Sequence, residues 1–482
     1  MHPSVILRIL GVLLAVFSLA SLPPMLVAWI YNEPEITLFG YTFLVTLLTG
    51  LGCWLPFYRT RYELRPRDGF LVTVLFWWVL SLFASIPFLL MDAPALSITD
   101  AFFEAMSGLT TTGATILTNI ETLPRSILFY RQQLQWFGGM GIIVLAVAVL
   151  PMLGIGGMQL YRTEAPGPIK DRKLTPRIAE TAKTLWYLYL AITIACAVAY
   201  WVAGMNAFDA ISHSFSTVAI GGFSTYDASI GYFDSSLIEA IAIFFMVISG
   251  MNFALHYFAL HDKDPLYYFK DPEVQAYLGI LLGVSIVTVL VLQYTGVYTD
   301  WDALRYGLFQ VVSIATTTGF GITDFSLWPI FLPLLLFLTS FSGACAGSTG
   351  GGMKVIRILL IFKQGSRELK RLIHPNAIFA IKLGGRAVPD RVGEAVWGFF
   401  SAYVFVFILL ELAVLATGVD IVTAFSTVAS CLNNLGPALG EAAANYQSLP
   451  DAAKWFLSFA MLLGRLEIFT LMVLFSPMFW RH

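Results

Sequence analysis

Two four-residue segments of this chain are identical, Thr110-Thr111-Thr112-Gly113 and Thr316-Thr317-Thr318-Gly319. Two looser copies, Val218-Ala219-Ile220-Gly221 and Asn433-Asn434-Leu435-Gly436, fill comparable places, and the four glycines fall 98 to 117 residues apart. What such segments offer is oxygen, from threonine hydroxyls and above all from the backbone. Glycine opens backbone angles closed to other residues, so successive carbonyls can aim at one axis. Four such turns meeting there would present rings of oxygens able to replace the hydration shell of a dehydrated alkali cation. The third-position side chains differ (Thr112, Ile220, Thr318, Leu435), which assigns the coordination to carbonyls. Thr111, Thr317 and Asn434 complete the set of expected lining residues.

Those turns have to be held at membrane depth. The 482 residues are 58% hydrophobic and 12% charged, with mean hydropathy +0.77, whereas soluble domains carry about 25% charged residues. Bilayer lipid is therefore the expected solvent. Ten apolar runs are long enough to span it: 5–30, 37–57, 69–91, 127–153, 185–204, 237–260, 276–294, 329–362, 395–417 and 455–480. The N-terminal run reads as a retained span rather than a cleaved leader. After the first pair, the pattern of span, shorter apolar segment, glycine turn and second span recurs four times, which points to a transport pathway. An aspartate stands 12 to 17 residues before each glycine (Asp100, Asp209, Asp302, Asp420), placed to cap a helix of three to four turns. Such helices are too short to cross a membrane and read as re-entrant, their partially negative C-termini facing a cation path.

Charge orients the chain. Basic residues concentrate in 58–68, 162–183 and 363–391, with a mixed segment at 261–273, and ten spans counted from a cytoplasmic N-terminus put all of these on one side. The net charge of −2 gives no reason to expect nucleic acid, and Cys53, Cys196, Cys345 and Cys431 stand singly in apolar runs, as buried small hydrophobes do.

Two further features sit inside spans. Residues 340–352 are rich in glycine, which disfavours helix. The run is not a nucleotide-binding loop, because Met353 separates Gly352 from Lys354 and no Ser or Thr follows that lysine. A loop lying across the pore, with Gly347, Ser348, Thr349, Gly350, Gly351 and Gly352 at its centre, is the sharper expectation. Arg465 lies within the last run, where a charge is costly unless it faces a cavity or a partner. It is expected beneath the turns, opposing cation passage and helping the loop close. Glu467 is expected to point elsewhere on the same helix, Lys354 and Arg357 to mark the cytoplasmic return of the broken span, and Arg125 and Arg131 to lie at the outer interface. His213 and His256 have no partner at ligand spacing and read as packing residues.

With its four turns, its extra N-terminal pair of spans and the segment Gly347-Ser348-Thr349-Gly350-Gly351-Gly352-Met353-Lys354, the chain resembles the Trk/Ktr/HKT superfamily of potassium and sodium uptake proteins, the bacterial TrkH type in particular. The resemblance implies an all-α integral membrane protein with four membrane-helix/pore-loop/membrane-helix repeats around one pore. The divisions expected are 1–60 for the extra pair and 69–160, 184–262, 274–363 and 394–482 for the repeats. It implies potassium uptake across a bacterial cytoplasmic (inner) membrane with potassium as the only ligand and no organic cofactor. Glycine at all four key positions resembles the potassium-selective pattern. It further implies a gating role for the glycine-rich loop, a homodimer, and a cytosolic TrkA-like ring of nucleotide-binding domains docking on 162–183 and 363–391. A cation-coupled symporter is the alternative, and an intramembrane enzyme or receptor a more distant one. No catalytic constellation is visible.

Overall fold

The computed structural model describes residues 3–59, 66–144 and 178–480. The basic positions between 162 and 177, and the end of the run at 127–153, lie outside the described residues. The regular secondary structure described is helical apart from one hairpin of two-residue strands, Lys382–Leu383 paired antiparallel with Arg386–Ala387.

The long helices follow directly from the sequence. Pro272–Tyr294 starts at Asp271, whose carboxylate accepts the N–H groups of Glu273 and Val274, with proline in the first turn. Its 23 residues span about 35 Å at 1.5 Å per residue. It buries Tyr277, Leu281, Ser285, Thr288 and Leu292 at helical spacing and leaves Leu282, Ile286 and Leu290 bare. A bare apolar face on that scale belongs against lipid.

Among the described residues, six helical stretches are long and apolar enough to cross a membrane, and eight if two sharply bent pairs each count as one span. The count of ten read from the sequence is thus modified in four places. Ser236–Ser249 turns by 93° into Phe253–His261, and Asp451–Arg465 turns by 116° into Phe469–Phe475. Phe331–Ser342 stops after 12 residues at the glycine-rich loop, and the chain resumes as the amphipathic helix Val355–Ile373. The basic segment from 363 therefore begins as helix. Arg125–Val144 has a span's length at 20 residues but carries Arg131, Gln132, Gln133 and Gln135, all buried. These departures share one cause: polar or irregular backbone at depth survives only inside the protein, and all four elements surround the turns.

Four short helices lead into those turns: Ile98–Leu109, Ala207–Ala219, Asp300–Ala315 and Ile421–Asn433. Ser97 and Asn206 cap the first two by accepting the N–H groups of Asp100 and Asp209 three residues on. Asp420 is itself the cap of the fourth, accepting from Val422 and Thr423. The aspartates read from sequence are therefore first-turn residues in three helices and the cap in one.

Candidate functional site: four re-entrant turns

Within two residues of its end each short helix gives way to a residue in the left-handed region: Thr111, Ile220, Thr317 and Asn434, with φ of 53°, 55°, 66° and 53°. Two residues later each chain has a glycine at positive φ: Gly113, Gly222, Gly319 and Gly436, at 81°, 80°, 85° and 100°. The residue between them donates its N–H to a serine carbonyl five residues back. The pairs are Thr112 to Ser107 (2.9 Å), Gly221 to Ser216, Thr318 to Ser313 and Leu435 to Ser430 (2.8 Å each). This is the helix-ending bond pattern that a left-handed cap residue makes possible. Three of the cap residues are β-branched, for which positive φ is a genuine outlier, so the surroundings must hold the turn.

The geometry corrects the register of the second turn. Gly222, not Gly221, corresponds to Gly113, Gly319 and Gly436, and Gly221 stands where the other turns have Thr112, Thr318 and Leu435. Ile220 corresponds to Thr111 rather than to Thr112. A sequence signal carries this register: a serine lies six residues before the glycine in every turn, at Ser107, Ser216, Ser313 and Ser430.

The four turns close a ring. A methyl group added to Gly113 would overlap the Gly221 oxygen; on Gly222 it would overlap the Thr318 oxygen, on Gly319 the Leu435 oxygen, and on Gly436 the Thr112 oxygen. Each glycine thus packs on the carbonyl before the corresponding glycine of the next turn, and the fourth returns to the first. All four glycines line one open cavity of about 640 Å³. Its walls are tied across turns by Ile120 N–H to Asp227 Oδ2 (3.2 Å), Gly231 N–H to Gly321 O (3.1 Å) and Tyr446 N–H to Thr115 O (2.8 Å). At this mouth the Glu121 carboxyl is held below the usual range by backbone N–H groups, its own and that of Asp227. Burial pushes the Asp227 carboxyl up.

On the other side of the ring lies the glycine-rich loop, residues 343–354. Gly351 N–H donates to Thr317 Oγ1 (2.7 Å), Gly352 N–H to Asn433 O (3.1 Å), and Thr349 Oγ1 to Val218 O (3.0 Å). The loop thereby touches the second, third and fourth turns at once. Arg465 ties it to the remaining quarter: Nη1 donates to Thr349 O at 3.1 Å and Nη2 to Gly138 O of Arg125–Val144 at 2.8 Å. Both arms end on backbone carbonyls rather than on a carboxylate. Lys354 Nζ donates to Gly350 O, and Ala346 N–H to Glu273 Oε1 at 2.6 Å. The bend at Gly250–Asn252 adds Cys345 N–H to Gly250 O (2.9 Å) and Phe253 N–H to Gly347 O (3.0 Å).

Residues 36–482 match the sequence profile of the TrkH family, described as cation transport protein. The chain belongs to the TrkH family. It is 60% identical to the Trk system potassium uptake protein TrkH of Vibrio parahaemolyticus over 479 residues, 99% of each chain. It is 57% identical to that of Escherichia coli K12 over the full length of both. The crystal structure of the potassium transporter TrkH from Vibrio parahaemolyticus superposes with a TM-score of 0.93 at 57% identity, covering 100% of both chains. The chain is an all-α multi-pass membrane protein of a cation-transport family, not an enzyme.

Several residues of this TrkH-family site have roles the sequence does not disclose. Arg131 is not at the outer interface but fully buried, with Nε on Glu104 Oε1 at 2.8 Å, Nη1 on Ser224 O at 3.2 Å and Nη2 on Thr115 Oγ1 at 3.0 Å. It joins the first short helix to the extended chain that follows each of the first two glycines. Arg131→Met leaves Glu104 buried without its cation and is expected to destabilise the fold by about 3–5 kcal/mol, read as a lowered thermal midpoint in detergent. Lys354 and Arg357, at the start of the helix that resumes after the loop, are likewise buried. Glu467 sits in the break, at φ 55°, and pairs with Arg357 at 2.7 Å instead of continuing a helix. His213 bonds Asp209 O and Ser224 Oγ (2.9 Å each), and His256 bonds Tyr268 Oη and Ile248 O (2.9 and 3.0 Å). Both satisfy polar neighbours, and no group of three metal-ligating side chains occurs among the described residues.

Proposed function

We propose that this chain carries potassium into the cell through the axis of the four turns, by a gated, carbonyl-lined filter. The observation that carries the reading is the closed ring of glycine-on-carbonyl contacts, which gathers four quasi-equivalent turns around one line. Oxygens so gathered can stand in for water around a weakly hydrated cation, and the short helices direct their negative ends there. The relatives named as potassium uptake proteins support potassium as the ion. The filter residues are those expected from sequence, with Gly222 added as the second turn's glycine.

The gate in this reading is residues 343–354 with Arg465. The loop lies on the side of the ring opposite the open cavity, bonded to three turns, and the guanidinium fastens it to the helix nearest the first. A cation leaving the ring would meet both this obstruction and a positive charge. The membrane is the bacterial cytoplasmic membrane with the basic segments inside. The regulator is a TrkA-like ring docking on the basic segment that includes exposed Lys370 and Arg371, and the working unit is a homodimer. The test is rubidium uptake into proteoliposomes with and without an imposed pH gradient. Uptake that follows the rubidium gradient and ignores pH is the expected result; uptake that requires the proton gradient would overturn a channel-like path.

A further inference from the structure

The second turn differs from the others in one respect that the ring exposes. Thr112, Thr318 and Leu435 carry buried side chains at the position between cap residue and glycine, whereas the second turn has Gly221 there. Its φ is not in the left-handed region, so the backbone does not demand glycine. The obstacle is a side chain: the three atoms nearest a Cβ placed on Gly221 all belong to the Gln135 amide. Gln135 comes from Arg125–Val144, a helix that precedes this turn by a full repeat, and is fully buried. Its Nε2 donates to the Gly221 oxygen at 2.6 Å and its Oε1 accepts the Phe223 N–H at 3.1 Å. One amide therefore clamps both sides of Gly222. The Gly221 oxygen is also the one against which Gly113 packs. Among the described residues no N–H or O–H donates to the corresponding oxygens of Thr112, Thr318 and Leu435.

Resting on the filter reading above, we infer that Gln135 is a specificity-determining positioning residue: it fixes the Gly221 carbonyl and makes one of the four oxygens at that level weaker toward cations than the other three. An oxygen already accepting a hydrogen bond from an amide has one lone pair engaged and its position fixed. The ring at this level is thus three free carbonyls and one tethered one. Cation preference depends on the number and field strength of such oxygens, so the amide sets preference as well as shape. The absent side chain at Gly221 and the inserted Gln135 amide are two halves of one feature.

The test is the rubidium-to-sodium flux ratio in proteoliposomes of the full chain for wild type, Gln135→Leu, Gln135→Glu and the double variant Gln135→Ala/Gly221→Thr. Leucine removes both bonds; glutamate keeps near-native volume and, ionised, can accept from Phe223 but cannot donate to Gly221. Each is expected to lower the ratio by about fivefold, the scale of one lost hydrogen bond, while rubidium still passes. The double variant fills the vacated space with a threonine, as in the first and third turns, but leaves the residue-221 carbonyl without its amide, and is expected to keep the lowered ratio. Full recovery there would show that filled volume and not the tether matters, and would overturn the inference. A ratio unchanged in both single variants that fold, on a selective wild-type background, overturns the assignment and leaves Gln135 a packing residue. A wild type that passes both ions equally overturns the filter reading itself.

Discussion

Replacing Arg465 by alanine is expected to raise rubidium flux through the reconstituted protein by about tenfold or more, which requires lowering the barrier by only ~1.4 kcal/mol. The guanidinium makes the two bonds that join Thr349 O to Gly138 O. Hydrogen bonds to charged groups contribute about 1.5–3 kcal/mol each. Losing them frees the loop from the helix of the first repeat and removes a positive charge from the path. Arg465→Lys keeps the charge but, as a point donor without a planar fork, cannot hold both carbonyls in the same geometry; an intermediate flux is expected. Flux unchanged or reduced in well-folded Arg465→Ala protein would show that the arginine is a structural tie and not part of a gate. Glu273 and Lys354 hold the same loop at other points, so the alanine variant loosens the loop without detaching it.

The second large effect concerns the ring glycines. Gly222→Ala must place a methyl group onto the Thr318 oxygen while keeping φ near 80°. The left-handed region alone costs an L-residue roughly 1–2 kcal/mol, and the overlap adds to that by pushing one turn off the axis. The expected outcome is a fall of about tenfold or more in the rubidium-to-sodium ratio, equal to ~1.4 kcal/mol of lost discrimination. Gly283→Ala is the matching control: it lies in the helix Pro272–Tyr294 with nothing within 4 Å of the added carbon, and transport should be unaffected. If Gly222→Ala kept its selectivity, the ring at this register would not be the selecting element.

Much of this arrangement is legible in the amino-acid sequence. Four glycine turns, each preceded by a short helix with an aspartate at or near its start, follow from a repeated local pattern that depends on nearest neighbours alone. The interruption at the glycine-rich loop is also local, since so many glycines cannot sustain a helix. The second turn's register is harder to read, because Ile220 breaks the threonine pattern and Gly221-Gly222 offers two glycines for one position. What decides between them is Gln135, some 86 residues away, together with the serine six residues before Gly222. The bends at 250–252 and 466–468 carry no proline, and their apolar sequence reads straight through. They pack against the glycine-rich loop and the helix that follows it, through Cys345 to Gly250 and Phe253 to Gly347 at the first bend and Arg357 with Glu467 at the second. Local spacing misplaces Arg131 for the same reason. A buried cation is identified by its partner, and Glu104 lies 27 residues earlier on another helix. For the bends and for Arg131 the missing information is long-range packing, which leaves no trace in local spacing.

The most direct test of the central claim is the reversal potential of Arg465→Ala protein in a planar bilayer with potassium on one side and sodium on the other, at equal pH and then across a pH step. The expected reversal potential is displaced strongly in the direction of potassium selectivity and is unmoved by the pH step. A potential near zero, or one that follows the proton gradient, would contradict it.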